Sequence, residues 1–359
     1  MRVTLFLLAV LYSGYCSNTM AQTSLPRATP ESQGVRSSAL SDLVETLDQE
    51  IQQIHSVMVV RNGNVVLEAW WNPEAADKPH VLWSLSKSFT STAVGLAIEE
   101  GKMSLDDSVL DYFPDQAPTD PSPQLKAMRV RDLLRMATGH QTEPPRTENE
   151  PWATTFLKHP VPFKPGTHFL YNTSATYMAS AIVQKVTGEK VVDYLQPRLF
   201  SPLGIETPRW DESPQGESIG GYGLFLKTED LAKFGQLLLQ NGQWQGKQLV
   251  PADWVQQATG YRVSNGSNPD SDWDQGYGYQ FWQCRHGAYR GDGKDGQFCV
   301  VIPDQKVVVI MTAKTNNLQG QLNIVWNQLL PGLEENPLTE NPAEQQKLKQ
   351  LTSALKVSQ

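Results

Sequence analysis

The chain has 359 residues, 39% of them hydrophobic and 19% charged, with a formal net charge of −8. This is the composition of an ordinary globular protein of one large domain or two small ones. The acidic balance and the scattered Lys and Arg residues leave no electrostatic footprint for nucleic acid or an anionic membrane surface.

The first 21 residues read as an export signal. Arg2 makes a positive start, an apolar run covers Val3 to Tyr12, and Thr19-Met20-Ala21 ends in the small residues a signal peptidase reads. The run is too short to span a bilayer, so the mature chain is expected to have no integral membrane segment and to be periplasmic or secreted. Cys16 follows the bulky Tyr15, a poor context for lipid attachment. Cleavage removes Arg2 and no acidic residue, which takes the charge from −8 to −9. It leaves Cys284 and Cys299, which an oxidising compartment allows to pair. Both lie in strand-like segments with another possible strand between them. A meander separates them by roughly 10 Å, beyond disulfide reach, so two buried thiols are favoured over a bridge.

Ser37 to Ile51 reads as an amphipathic helix with a Ser cap. Val57–Arg61 and Val65–Trp70 are β-branched runs joined by Asn62-Gly63, a hairpin turn whose two residues take positive φ. Ser84 to Glu100, closed by Gly101, carries Phe89, Ala93, Val94, Leu96, Ala97 and Ile98 around most of its circumference, as a buried central helix does. From about 105 to 215 helical stretches such as Val130–Ala137 and Ser174–Val186 alternate with Pro-rich loops, which predicts an inserted helical subdomain. Thr228–Gln240 is a further helix. Tyr277–Cys284, Gly287–Arg290, Gln297–Ile302 and Lys306–Thr312 read as successive strands, and Gln319–Leu330 as a closing helix. Residues 335–359 form a polar tail, helical from Ala343, beyond a domain of residues 22–334. The order predicts an α/β (α+β) fold: an antiparallel sheet covered by the terminal helices on one face and the helical part on the other.

Two serine patterns compete. Gly216-Glu217-Ser218-Ile219-Gly220 matches G-x-S-x-G, which works only where a buried strand turns sharply into a helix. Here a polar, Pro-containing segment precedes it and the strand-like Tyr222–Leu226 follows, so the context is wrong on both sides. Ser84-Leu85-Ser86-Lys87 is an S-x-x-K at the start of the buried helix. Ser353-Ala354-Leu355-Lys356 has the same spacing in the tail but no such setting. Three residues bring Ser84 and Lys87 onto one helical face. The serine then sits where unpaired N–H groups favour developing negative charge. A lysine driven into a buried helix sheds its charge or finds a partner, and a neutral amine beside a hydroxyl is a general base.

Trp83-Ser84-Leu85-Ser86-Lys87-Ser88-Phe89-Thr90-Ser91 resembles the first motif of class C β-lactamases, DD-peptidases, family VIII carboxylesterases and 6-aminohexanoate-dimer hydrolases. The S-x-x-K of the related class A enzymes and penicillin-binding proteins is a standard example of such a motif. The likeness covers roughly Pro30 to Leu330 and implies a β-lactamase/transpeptidase-like fold. It continues in Pro165-Gly166-Thr167-His168-Phe169-Leu170-Tyr171-Asn172-Thr173, where the family places Tyr-x-Asn. Tyr171 is thereby implied as a proton relay. Thr173, where Asn or Ser is usual, keeps a hydroxyl but no amide. Ala288-Tyr289-Arg290 falls where the third motif, Lys-Thr-Gly or His-x-Gly, is expected, and Gly291 where the second oxyanion N–H would pair with that of Ser84.

The six histidines form no metal-type spacing. His140, in Thr138-Gly139-His140, is placed near the site as a substrate-binding residue beside Thr173 and Arg290. Trp152, Trp273, Tyr277 and Tyr279 line either a pocket or the core.

The resulting expectation is acyl transfer without cofactor or metal, on a small amide or ester. Lys87 takes the proton of Ser84, the N–H groups of Ser84 and Gly291 hold the oxyanion, and Tyr171 serves the leaving group. Tyr289 facing the site would turn Arg290 away and leave no cation for a carboxylate beside the scissile bond. Short esters and linear amides are then expected ahead of cephalosporins. A one-residue slip would bring Arg290 inward and favour a true β-lactamase or D-Ala-D-Ala carboxypeptidase. A non-catalytic ligand-binding homologue and a hydrolase built on Ser218 are the remaining alternatives.

Overall fold

The computed structural model describes residues 24–358. The expected signal segment, with Cys16, lies outside the described residues. Helix α1 (Ser37–Glu50) leads into the hairpin of β1 (Ile54–Arg61) and β2 (Asn64–Trp70). Asn62 and Gly63 turn it with φ of 51° and 80°. Helix α2 (Ser86–Glu99) follows, then the helical part, in which α3 (Thr173–Thr187) is the longest helix. Helix α4 (Thr228–Leu239) returns the chain to the sheet. Strands β3 (Trp282–Gln283), β4 (Tyr289–Gly293), β5 (Gln297–Ile302) and β6 (Val307–Ala313) complete it, before α5 (Leu318–Ile324) and α6 (Pro342–Ser353).

The six strands run antiparallel in the order β2-β1-β6-β5-β4-β3. Alternation along each strand makes two apolar faces. Val57, Val59, Val300, Val309 and Met311 pack with Leu40, Leu43 and Leu47 of α1. Met58, Val60, Cys299, Val308 and Ile310 share the larger core with Phe89, Ala93 and Val94 of α2 and with the helical part. Helix α2 is thus enclosed between sheet and subdomain, as its all-round apolarity requires.

Two expectations need adjustment. Of Tyr277–Cys284 only Trp282 and Gln283 pair as a strand, against Arg290 and Tyr289. The polar tail is docked: Leu348 and Leu355 are buried in the α1-side core, and Lys356 bridges to Asn72. Cys284 and Cys299 are buried, unpaired thiols with β4 between them.

Candidate active site

The geometry is set just ahead of α2. His80–Val81 pairs with the extended segment Leu224–Leu226, and the Leu82 N–H reaches the Leu224 carbonyl at 2.8 Å. Trp83 then takes φ 48°, in the left-handed region. For a bulky residue this conformation costs about 1–3 kcal/mol and persists only where the surroundings impose it. Here the Lys294 ammonium lies over the Trp83 ring at 5.2 Å, and Gly293 offers no Cβ to the Leu82 carbonyl. The kink turns the extended chain into the helical turn Trp83–Leu85, which opens α2 with Ser84 at its start.

Lys87 points back along the same face and is almost wholly buried. Its Nζ lies 2.9 Å from Ser84 Oγ, 2.7 Å from the Gly221 carbonyl and 3.3 Å from Thr173 Oγ1. Burial pulls its pKa down to about 7, against the weaker opposing pull of the Glu143 and Asp292 carboxylates. A neutral amine has two hydrogens and one lone pair. Gly221 and Thr173 can take the hydrogens, which leaves the lone pair for the Ser84 hydroxyl.

Asn172 caps α3, its side-chain oxygen accepting the Ala175 N–H at 3.1 Å. The cap fixes Tyr171 and Thr173 on either side of it. The Tyr171 ring stacks on Trp282 at 5.3 Å and meets Tyr277 edge-on. Lys87 Nζ lies 5.0 Å from the centre of the Tyr171 ring, which sets the phenol beside the Ser84–Lys87 pair, and burial pushes it far above its usual pKa. At neutral pH Tyr171 therefore keeps its proton and can hand it on.

The register of β4 corrects the third-motif reading by one residue. A Cβ on Gly291 would meet Ser88 Oγ at 2.7 Å, and one on Gly293 the Leu82 carbonyl at 2.1 Å, so the two face α2 and the turn that leads into it. Backbone polarity follows the same alternation in the plane of the sheet. The Ala288 carbonyl accepts from the Cys284 N–H, on the β3 side. The N–H groups of Arg290 and Asp292 point to that edge as well, whereas that of Gly291 points to β5. Because β3 ends its pairing at Arg290, the Asp292 N–H lies on an open edge. The anticipated oxyanion donor Gly291 is instead the residue whose missing side chain admits α2 to the strand.

Arg290 also departs from expectation. It faces the aromatic cluster, with its guanidinium 4.4 Å from the Trp273 ring and 5.5 Å from that of Trp282. It is fully buried and bound to Asp292 Oδ2 through Nε at 3.0 Å. His140 lies off the site as well. Buried beneath the loop, it bonds Thr138 at 2.8 Å and packs edge-on against Phe156, and desolvation lowers its pKa to about 4. Thr173 stays in the site, as a partner of Lys87.

Sequence reasoning missed two residues. The Gly221 carbonyl, just beyond the rejected G-x-S-x-G, is a partner of Lys87, and a Cβ there would meet Thr173 Cγ2 at 2.5 Å. The paired Gly220-Gly221 was the available signal, since glycine marks close backbone approach. Glu143 accepts the Thr173 N–H at 2.9 Å and binds Arg146, which reaches Ser174 Oγ at 2.7 Å. Ser218 lies in a bridge between Glu212 and Ser218, with no strand-to-helix turn. Among the described residues no cluster of three metal-ligating side chains is present.

Residues 43–327 match the Beta-lactamase family. The chain belongs to that family. It is a serine hydrolase of the β-lactamase and penicillin-binding-protein superfamily. It is 27% identical over 324 residues to the 6-aminohexanoate-dimer hydrolase of Paenarthrobacter ureafaciens, covering 81% of each chain. It is 25% identical over 240 residues to the lovastatin esterase of Penicillium rubens, covering 50% of this chain and 59% of that one. In fold it is similar to the octameric penicillin-binding protein homologue from Pyrococcus abyssi, with a TM-score of 0.64 and 18% identity over 81% of this chain and 78% of that one. The antiparallel sheet with its helical insert is thus the β-lactamase/transpeptidase-like fold of this family.

Proposed function

We propose that this β-lactamase-family chain is an esterase or amidase that cleaves small linear esters or amides through an acyl-enzyme on Ser84. The observation that carries the reading is the buried Lys87 amine, near neutrality and 2.9 Å from Ser84 Oγ. In its neutral form the amine takes the hydroxyl proton as Oγ attacks the carbonyl carbon. The N–H groups of Ser84 and Asp292 receive the oxyanion, one at a helix start and one on the open strand edge. The Tyr171 hydroxyl, its ring held against Trp282 and beside Lys87, passes a proton to the departing alcohol or amine. Water then attacks the ester of Ser84 and releases the acid.

The preference for uncyclised substrates rests on the charges of β4. Enzymes that favour a carboxylate beside the scissile amide need a free cation to receive it. Arg290 stands close by but is already engaged. The relatives named 6-aminohexanoate-dimer hydrolase and lovastatin esterase support an amide or ester reading of the same site.

The test is kcat/KM for p-nitrophenyl butyrate, the linear 6-aminohexanoate dimer and nitrocefin on one preparation. The ester or linear amide is expected to be the better substrate. Nitrocefin turned over faster than both would make the chain a β-lactamase. We further propose export, on residues 1–21 alone. Intact-mass analysis after native expression is expected to show a chain beginning at Gln22, and a retained Met1 would refute it.

A further inference from the structure

The Nε–Nη2 edge of an arginine is one that a carboxylate grips at two points. In Arg290 that edge faces Asp292, whose Oδ2 lies 3.0 Å from Nε and 2.9 Å from Nη2. The opposite nitrogen, Nη1, is anchored to the Asp272 carbonyl at 2.7 Å and to Cys284 Sγ at 3.0 Å. The guanidinium is therefore fixed from behind and offers its free edge toward Asp292. The Asp292 side chain is 11% exposed whereas that of Arg290 is wholly buried, so the carboxylate covers the cation. Asp292 is also close enough to Lys87 and Tyr171 to act on the charge of both.

We infer that Asp292 is a specificity-determining residue, an internal carboxylate that occupies the place on Arg290 a substrate carboxylate would take. The inference deepens the proposed function and rests on Ser84 being the nucleophile. Selection here is by exclusion. A substrate carrying a carboxylate next to its scissile bond meets Asp292 instead of a cation, and like charges in a poorly solvated cleft repel. Neutral or ammonium-bearing substrates meet no such penalty. The nearby Arg146 gives no relief, since Glu143 and Ser174 already hold it. Removing the Asp292 carboxylate would uncover a pre-positioned guanidinium.

The experiment compares phenylboronic acid with 3-carboxyphenylboronic acid, which trap a nucleophilic serine as a tetrahedral adduct, on the full chain and on Asp292→Ser. The wild type is expected to bind the carboxylated compound at least about 5-fold more weakly. Asp292→Ser is expected to reverse that order and to raise the nitrocefin-to-butyrate ratio of kcat/KM by about 10-fold or more. Asp292→Asn, of nearly the same shape, serves if the serine variant does not fold, and the wild-type comparison stands by itself. A carboxylated boronate that binds the wild type as tightly as the neutral one overturns the inference, and so does an unchanged order in the variant. Binding of neither boronate would instead count against Ser84 as nucleophile.

Discussion

The Gly221 carbonyl oxygen lies 2.7 Å from Lys87 Nζ, on a segment 134 residues further along the chain. It is the shortest of the three contacts that hold the amine against Ser84. The contact needs a residue without a side chain, because a Cβ would meet Thr173 Cγ2 at 2.5 Å. Gly221→Ala should therefore push Thr173 and the carbonyl apart and lower kcat by about 10- to 100-fold, the usual scale for a misplaced catalytic group. The check is kcat together with Tm. An unchanged kcat would show that this carbonyl does not position Lys87.

The pH dependence follows from the same amine. Its pKa in the folded chain is lowered to about 7 from 10.5. Activity should rise through an apparent pKa near 7 and level off above it, because only the neutral form accepts the serine proton. Lys87→Ala should lower kcat/KM by at least about two orders of magnitude. A pH–rate profile flat from 5 to 9 in the wild type would contradict this role.

Stability carries the matching signature. Between pH 7 and 10.5 the unfolded chain binds a proton at Lys87 that the folded chain has lost. This group's contribution to stability therefore rises with pH across that window and is least favourable below it. Lys87→Met, of similar volume and uncharged, should be more stable than wild type at pH 6, by roughly 2–6 °C in Tm. The gap should narrow as pH rises from 7 toward 10. Differential scanning calorimetry at pH 6 and 9 reads it, and a gap that widens with pH would contradict a neutral buried amine.

The C-terminal segment is part of the folded body. Leu348 and Leu355 are buried beside α1, and Gln345 donates to the buried Glu31 at 2.7 Å. Truncation after Leu333 should cost several kcal/mol, since each buried leucine contributes about 1.5–3 kcal/mol. Thermal unfolding of the truncated chain should show a clearly lower Tm, and an unchanged Tm would mean the docking is not stabilising.

Much of the fold was legible because its signals are local. Asn62-Gly63 demands a hairpin, the β-branched runs alternate, and the apolarity of 84–100 on all sides demands enclosure. That Ser84, Lys87 and Tyr171 lie together was legible from the helical spacing and the resemblance. Register was not. Whether Gly291 faces α2 or the open edge depends on one residue of phase in a Gly-rich strand, where little side-chain alternation exists to fix it. That phase decides both which N–H lies on the open edge and what Arg290 meets. His140 misled because a loop neighbour in sequence is buried beneath the loop in space. The tail misled because its docking leucines, Leu348 in a polar helix and Leu355 just beyond it, are diluted among polar residues. Gly221 was missed because it acts through a backbone carbonyl, which every residue carries.

The most direct test of the account is peptide mapping after a fluorophosphonate probe, on wild type and on Ser84→Ala, Ser218→Ala and Ser353→Ala. The expected result is one labelled peptide, bearing the probe on Ser84, which disappears only in Ser84→Ala along with ester hydrolysis. Full labelling and full hydrolysis in Ser84→Ala, or label found on Ser218, would contradict the account at its centre.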